Sequence, residues 1–239
     1  MPRDRARISA KVWGDYACFS RPEFKTERVS YPVITPSAAR GVLEAVFWKP
    51  EFRYEIREIA VGHQTSILRN EIADRQEQEP IVVEESRQWR MSLVLRNVAY
   101  VIHADMVLWR HATDPIAKYS SQFNRRLARG QFHHVPYLGV REFDAHFAPP
   151  DEDCRPDEVD LDLGNMLFEI AYVPSEDRPE MAFMRHDRMG ARRVQGYAEA
   201  LFFPARLERG RLRPPDALYD QQDFRFWVLP GEVPGILLS

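Results

Sequence analysis

Apolar and polar residues alternate from Arg7 to Trp13, with Ile8, Ala10 and Val12 set against Arg7, Ser9 and Lys11, and this pattern predicts a half-buried first strand. Gly14-Asp15 ends the alternation. Tyr16 to Lys25 mixes aromatic rings with cations and reads as a loop, before Val29 to Ile34 resumes an extended pattern. Thr35-Pro36 then opens a helix, because a threonine hydroxyl caps free backbone N–H groups and proline loses no hydrogen bond at the first helical position. Leu43, Val46 and Phe47 recur at helical spacing within Ser37 to Trp48, and Pro50 stops the run. Phe52 to Val61 alternates again as a second strand, with Phe52, Tyr54 and Ile56 opposed to Arg53, Glu55 and Arg57. Gly62 to Glu79 is polar and irregular, which predicts a long excursion or a hairpin. Met91 to Leu108 holds one long strand or two short ones, with Leu93, Leu95, Val98, Val101 and Val107 as core candidates.

Thr113-Asp114-Pro115 repeats the helix-start grammar, and Ile116 to Arg129 follows as a second helix with Gly130 as its stop. Ile116, Tyr119, Phe123 and Leu127 fall three and four apart on its buried side, leaving Lys118, Arg125, Arg126 and Arg129 toward solvent. Gln131 to Phe143 returns to extended character. The order strand, helix, strand, strand, helix, strand is the ferredoxin-like arrangement that RNA-recognition modules also use. The fold class expected is therefore α+β, with a ferredoxin-like domain over residues 1–148. An acidic linker and a small β-rich domain over 149–239 complete it, with Asn165 to Val173 and Arg193 to Leu207 as antiparallel strands and Gly210 in a charged turn. The proline-marked tail from Pro214 is expected to wrap over the surface.

Charge changes this picture through its distribution. The 239 residues carry 33 Lys and Arg against 36 Asp and Glu, a net charge of -3. Between Ala148 and Glu180 the acids, among them Asp151, Asp157, Asp160 and Glu169, face only Arg155 and Arg178, so this stretch reads as a solvated divider. Basic regions flank it, Arg110 to Arg141 and Arg185 to Arg213, a footprint suited to nucleic acid despite the anionic total. No run of eighteen apolar residues occurs, and the charged start Met-Pro-Arg-Asp-Arg-Ala-Arg has no apolar segment behind it, so a cytosolic protein is expected. Cys18 and Cys154 lie far apart with no metal-ligand spacing and read as lone thiols.

No Walker, Rossmann, nucleophile-elbow, HExxH or calcium-loop motif is present, and neither a metal nor an organic cofactor is expected. What stands out is Lys118-Tyr119, then Arg125-Arg126, then His133-His134 and Tyr137. RNA is cut without metal when one group takes the ribose 2′-OH proton, another protonates the departing 5′-oxygen, and cations stabilise the phosphorane. Histidine, with an ordinary pKa of about 6.5, serves either proton role. Lys118, Tyr119, His133 and His134 are thus the catalytic candidates. Adjacent strand residues point to opposite faces, so one of the two histidines at most enters a given site. Arg21, Lys25 and Arg28, interleaved with Phe19, Phe24 and Tyr31, together with Lys49, Arg125, Arg126, Arg129 and Arg141, are the RNA-binding candidates. His103 and His111 are isolated and read as structural.

The strings WGDYACFSRPEF and VSYPVITPSAARGVLEAVFWKP, followed by LRNVAYVIHADMVL, AKYSSQFNRRLARGQ and PYLGVREF, resemble a known family across roughly residues 7–145. They are similar to the type I-C (Dvulg-subtype) CRISPR-associated proteins of the RAMP superfamily, the Cas-five family that processes precursor CRISPR RNA. The resemblance implies an RRM-like first domain with an inserted hairpin and a smaller β-sheet domain. It implies binding of the CRISPR repeat hairpin, a metal-independent cut at its 3′ base, and retention of the 5′ handle beside the other subunits of the Cascade complex. The family's site uses a tyrosine just before Trp-Lys-Pro and a lysine-histidine pair opening the second helix. Here those positions are Phe47 and Lys118-Tyr119, so only Lys118 agrees. The rival expectation is a non-catalytic Cascade subunit that holds the RNA handle or duplex DNA.

Overall fold

The computed structural model describes residues 4–24, 27–62, 65–75, 87–151, 155–187 and 189–219, with backbone alone for 65–75, 87–91 and 187. Chain order is β1 (Arg5–Ala17), β2 (Arg28–Val29), α1 (Pro36–Val46), β3 (Phe52–Val61), β4 (Thr65–Arg75), β5 (Arg87–Leu108), α2 (Ile116–Ala128), β6 (His146–Ala148), β7 (Leu161–Pro174), β8 (Met181–Asp187), β9 (Gly190–Glu208) and β10 (Arg211–Leu212). With helices separate from a sheet that is antiparallel at every pairing except β2 with β5, the fold class is α+β. No helix among the described residues is long and apolar enough to cross a membrane.

The alternation of the first strand is the burial seen: Ile8, Ala10 and Val12 are in the core. The strand does not stop at Gly14-Asp15 but pairs with β5 from Arg5↔Val107 to Ala17↔Leu95. Gly14 is required for another reason. A Cβ there would stand 2.6 Å from Leu138 Cδ1 and 2.8 Å from the Asp144 carbonyl, because the segment after α2 packs directly on this strand.

Thr35 Oγ1 accepts the Ala38 N–H at 3.2 Å and Pro36 opens α1, as the pattern requires. The helix buries Ala39, Val42, Leu43 and Val46 and ends at Val46, two residues before the predicted Trp48. Phe47 is already extended, which turns its ring into the core against Phe52 at 5.5 Å. The polar stretch after β3 is a hairpin: β4 pairs with the first part of β5, which is one long strand. In α2 the buried residues are Ile116, Tyr119, Phe123 and Leu127. Pro115 stands at its N-cap with no side-chain cap, because a proline ring offers no acceptor, and Asp114 before it accepts from Lys118.

The predicted strand over Gln131 to Phe143 is not formed. Its N–H groups are taken locally and by α1: His133 N–H bonds the Ala45 carbonyl at 2.7 Å, Leu138 N–H bonds Phe143, and only an isolated bridge, Tyr137↔Asp144, is extended. The sheet position expected for it belongs to β6, which pairs with β1 from Lys11↔Ala148 to Trp13↔His146. His133 and His134 therefore sit in a turn rather than on a strand.

Beyond residue 155, β7, β8 and β9 form antiparallel ladders, and β10 pairs with both β9 and β3. The sheet consequently runs β6-β1-β5-β3-β10-β9-β7 without interruption. One apolar core extends from Ile8 to Tyr219. The described start of the tail enters this core: the Tyr219 hydroxyl accepts the Ile56 N–H at 2.6 Å and donates to the Ile56 carbonyl at 3.1 Å, which replaces the expected surface course for residues up to 219. Cys18 is buried, and burial raises its thiol pKa; Cys154 lies outside the described residues.

Candidate functional site

A helix C-terminus leaves carbonyls without intrahelical partners and carries partial negative charge. At the end of α1 these carbonyls collect several of the predicted residues. Ala45 accepts from His133 N–H at 2.7 Å, with His134 N–H at 3.4 Å. Val46 accepts from Arg126 Nη1 at 3.1 Å, and the Phe47 carbonyl accepts from the Tyr54 hydroxyl at 2.5 Å. The Arg126 guanidinium also lies over the Phe47 ring at 5.2 Å. The imidazoles of His133 and His134 are exposed, edge to face at 6.0 Å.

Lys118 and Tyr119 open α2 and point apart, as neighbours a hundred degrees round a helix must. The Lys118 ammonium is exposed and held by Asp114 Oδ2 at 2.6 Å. The Tyr119 ring packs on Phe52 at 5.4 Å, and its hydroxyl is buried with no hydrogen-bond partner. Burial, followed by the negative charges of Glu51 and Asp114, raises the pKa of this phenol. His111, read as structural, is tied to the turn before β3: its Nε2 donates to the Pro50 carbonyl at 2.9 Å. Glu51 adds a buried carboxylate oxygen, Oε2, that has no hydrogen-bond partner.

The fold thus places these groups toward the two ends of α2. Tyr119, with the Glu51 charge near it, lies at the start, where Lys118 points the other way to solvent and His111 holds the Pro50 carbonyl; Arg126, His133 and His134 meet the last carbonyls of α1 near its end. Lys118 and Arg126 are eight residues apart, about 12 Å of helix rise. Lys118, Arg125 and Arg129 recur at seven- and eleven-residue intervals and share the solvent face of the helix and its cap. The remaining candidates form a separate patch around β2. Arg21 stacks over Tyr31 at 4.8 Å with Glu23 at 3.8 Å, Arg28 bonds Glu142 at 2.8 Å, and Arg141 is exposed beside that pair. Lys49 is exposed in the turn after α1, and Lys25 lies outside the described residues. Among the described residues, no three or more His, Cys, Asp or Glu side chains come together to hold a metal ion.

Sequence reasoning missed a second set of residues. Trp48 and Trp109 face Tyr172 and His186 across a cleft where β3 meets β7 and β8. The one signal available was the pair Ile170 and Tyr172, large apolar residues on the exposed side of a strand whose other side is buried.

A family model described as CRISPR-associated protein (Cas_Cas5) matches residues 8–215. A CRISPR pre-crRNA endoribonuclease Cas5d of Thermus thermophilus is 58% identical over 219 residues, covering 90% of this chain and 94% of that protein. A protein of the same description from Mannheimia succiniciproducens is 41% identical over 192 residues, covering 70% of this chain and 85% of that one. Among solved structures, one described as a CRISPR-associated protein superposes with a TM-score of 0.63 at 20% identity, covering 90% of this chain and 95% of that one. A functionally uncharacterized protein, SMU1763c from Streptococcus mutans, superposes at 0.59 with 19% identity, covering 88% and 93%; both likenesses bear on the fold alone. By the extent of the family match and the identity of these relatives, the chain belongs to the CRISPR-associated Cas5 family.

Proposed function

We propose that this protein is a metal-independent endoribonuclease that binds the CRISPR repeat hairpin, cleaves precursor CRISPR RNA and keeps the 5′ handle as a subunit of the Cascade complex. The two pre-crRNA endoribonucleases similar to it supply the activity. The observation that carries the reading in this chain is the cationic face of α2, where Lys118, Arg125 and Arg129 line up along the exposed side. The order β6-β1-β5-β3, with all three pairings antiparallel, supports a ferredoxin-like reading of residues 1–148, with the β4–β5 hairpin as its insertion. Residues 149–239 are then the smaller β-rich unit. A cytoplasmic setting accords with such a partner.

In the reaction, a base removes the 2′-OH proton, O2′ attacks phosphorus, and the P–O5′ bond breaks as an acid protonates the 5′-oxygen, leaving a 2′,3′-cyclic phosphate and a 5′-hydroxyl. Lys118 stabilises charge on the phosphorane. The proton-transfer candidates are Tyr119, next to Lys118 in sequence, and His133 and His134, toward the other end of α2, while Arg21, Lys25, Arg28, Lys49, Arg125, Arg126, Arg129 and Arg141 hold phosphates. Repeat RNA incubated with the protein in EDTA should be cut to the cyclic phosphate. Lys118→Ala should cut at least about a hundredfold more slowly with RNA affinity within about twofold of wild type. A second reading, a non-catalytic subunit gripping the handle or duplex DNA, is favoured by Phe47, which has no hydroxyl, and by the buried hydroxyl of Tyr119. Equal loss of binding and cutting in Lys118→Ala, or no cutting by the wild type, would select it.

A further inference from the structure

A cleft of about 340 Å³ opens where β3 meets β7 and β8, within the size range of small-molecule and cofactor sites. Its rim is unusual for a surface. Trp48, Ile170, Tyr172 and Met184 are 42%, 41%, 39% and 57% exposed, although large apolar groups gain by burial. The lining also contains Arg40, Arg53, Arg185 and His186 and no aspartate or glutamate. Apolar rings and cations therefore face the same space.

The walls are held in place before anything binds. Arg40 is fixed from behind by Glu169 and Glu44, each at 2.7 Å, and Arg53 by Glu55, with its guanidinium over Trp109 at 4.8 Å. Tyr172 leans on Phe183 and Trp48 on His186, both at 5.5 Å between ring centres. A phosphate by itself has no use for the rings, and an apolar protein side chain has none for the arginines. A nucleotide uses both, because its base presents a π face and its phosphate a negative charge.

We propose that this cleft takes one unpaired nucleotide of the bound RNA, its base against Trp48 and Tyr172 and its phosphate toward the arginines. This rests on the RNA-binding function proposed above and adds a site away from the face of α2. Trp48 directly follows Phe47, whose ring touches Phe52 at the cleft floor, so a nucleotide held here is anchored next to the elements that carry Lys118 and Tyr119.

The test is repeat RNA carrying 2-aminopurine at successive unpaired positions, titrated with wild type, Trp48→Ala, Tyr172→Ala, Trp48→Phe and Tyr172→Phe. One position should be quenched by wild type and by both phenylalanine variants, and should regain fluorescence in each alanine variant with affinity about tenfold weaker. Alanine variants that bind and quench like wild type would overturn the cleft while leaving the RNA-binding function intact. A wild type that binds no repeat RNA overturns both. Quenching of free 2-aminopurine ribonucleotide as strong as that of the strand would make the occupant a free nucleotide and overturn the proposal. So would alanine variants that quench normally but no longer assemble with other complex subunits, since the cleft would then seat protein.

Discussion

Tyr119 shows how a single position separates stability from chemistry. Its hydroxyl is buried without a hydrogen-bond partner, a cost of roughly 1–3 kcal/mol for a polar group taken out of water. Tyr119→Phe is accordingly expected to raise the melting temperature, by an amount equivalent to about 1 kcal/mol. The same burial raises the pKa of the phenol and turns its hydroxyl away from the exposed face of α2. Cleavage by Tyr119→Phe should therefore stay within about threefold of wild type, leaving His133 and His134 as the remaining proton-transfer candidates. Melting curves and single-turnover cleavage on the same preparation check both halves; a hundredfold loss of cleavage with a raised melting temperature would return the proton to Tyr119.

At the scale of elements, α2 carries packing on one face and the proposed phosphate contacts on the other. Ile116, Tyr119, Phe123 and Leu127 bury one side, which fixes the rotation of the helix and so fixes Lys118, Arg125 and Arg129 outward. Exposed cations of this kind contribute little to folding but release counterions when they meet phosphates. Arg125→Ala and Arg129→Ala should each leave the melting temperature unchanged within about 0.5 kcal/mol of stability. Each should also lower the slope of log affinity against log salt by about 0.7, the value for one single-strand phosphate contact. Salt titrations of RNA binding provide the measurement, and an unchanged slope in both variants would remove these residues from the phosphate track.

For the whole molecule, the two-residue strand β10 closes the sheet between β3 and β9, and Glu58 secures it by accepting from Arg211 and from Arg213 Nε at 2.9 Å. Burial pushes the Glu58 pKa up, but these two guanidinium groups overcome it and hold the carboxyl below its ordinary value near 4.5. A carboxylate whose pKa is lower folded than unfolded stabilises the fold above the unfolded value, and that stabilisation disappears as pH falls through the folded one. Glu58→Gln is expected to cost about 1 kcal/mol at neutral pH, discounted for the solvent around Arg213. It should also show a shallower loss of stability below about pH 4.5 than wild type. Denaturant titrations at pH 7 and pH 3.5 measure the difference, which should shrink at the lower pH.

The sequence by itself determined what depends on near neighbours. Alternation at Ile8, Ala10 and Val12, the Thr35-Pro36 cap and the helical spacing through Phe123 and Leu127 all follow from which side of a local element meets the core. The motif strings likewise carried the family. Only the tertiary structure decided the rest, because a periodic pattern says that a residue is buried but not against what. Gly14 reads as a break in isolation, yet it lies inside a strand that Leu138 and Asp144 press upon. Residues 131–143 have strand-like composition, but the end of α1 claims their N–H groups, and that places His133 and His134 in a turn. The cleft brings Trp48 to Tyr172 and His186 through pairings of β3, β10 and β9, contacts that no local spacing encodes.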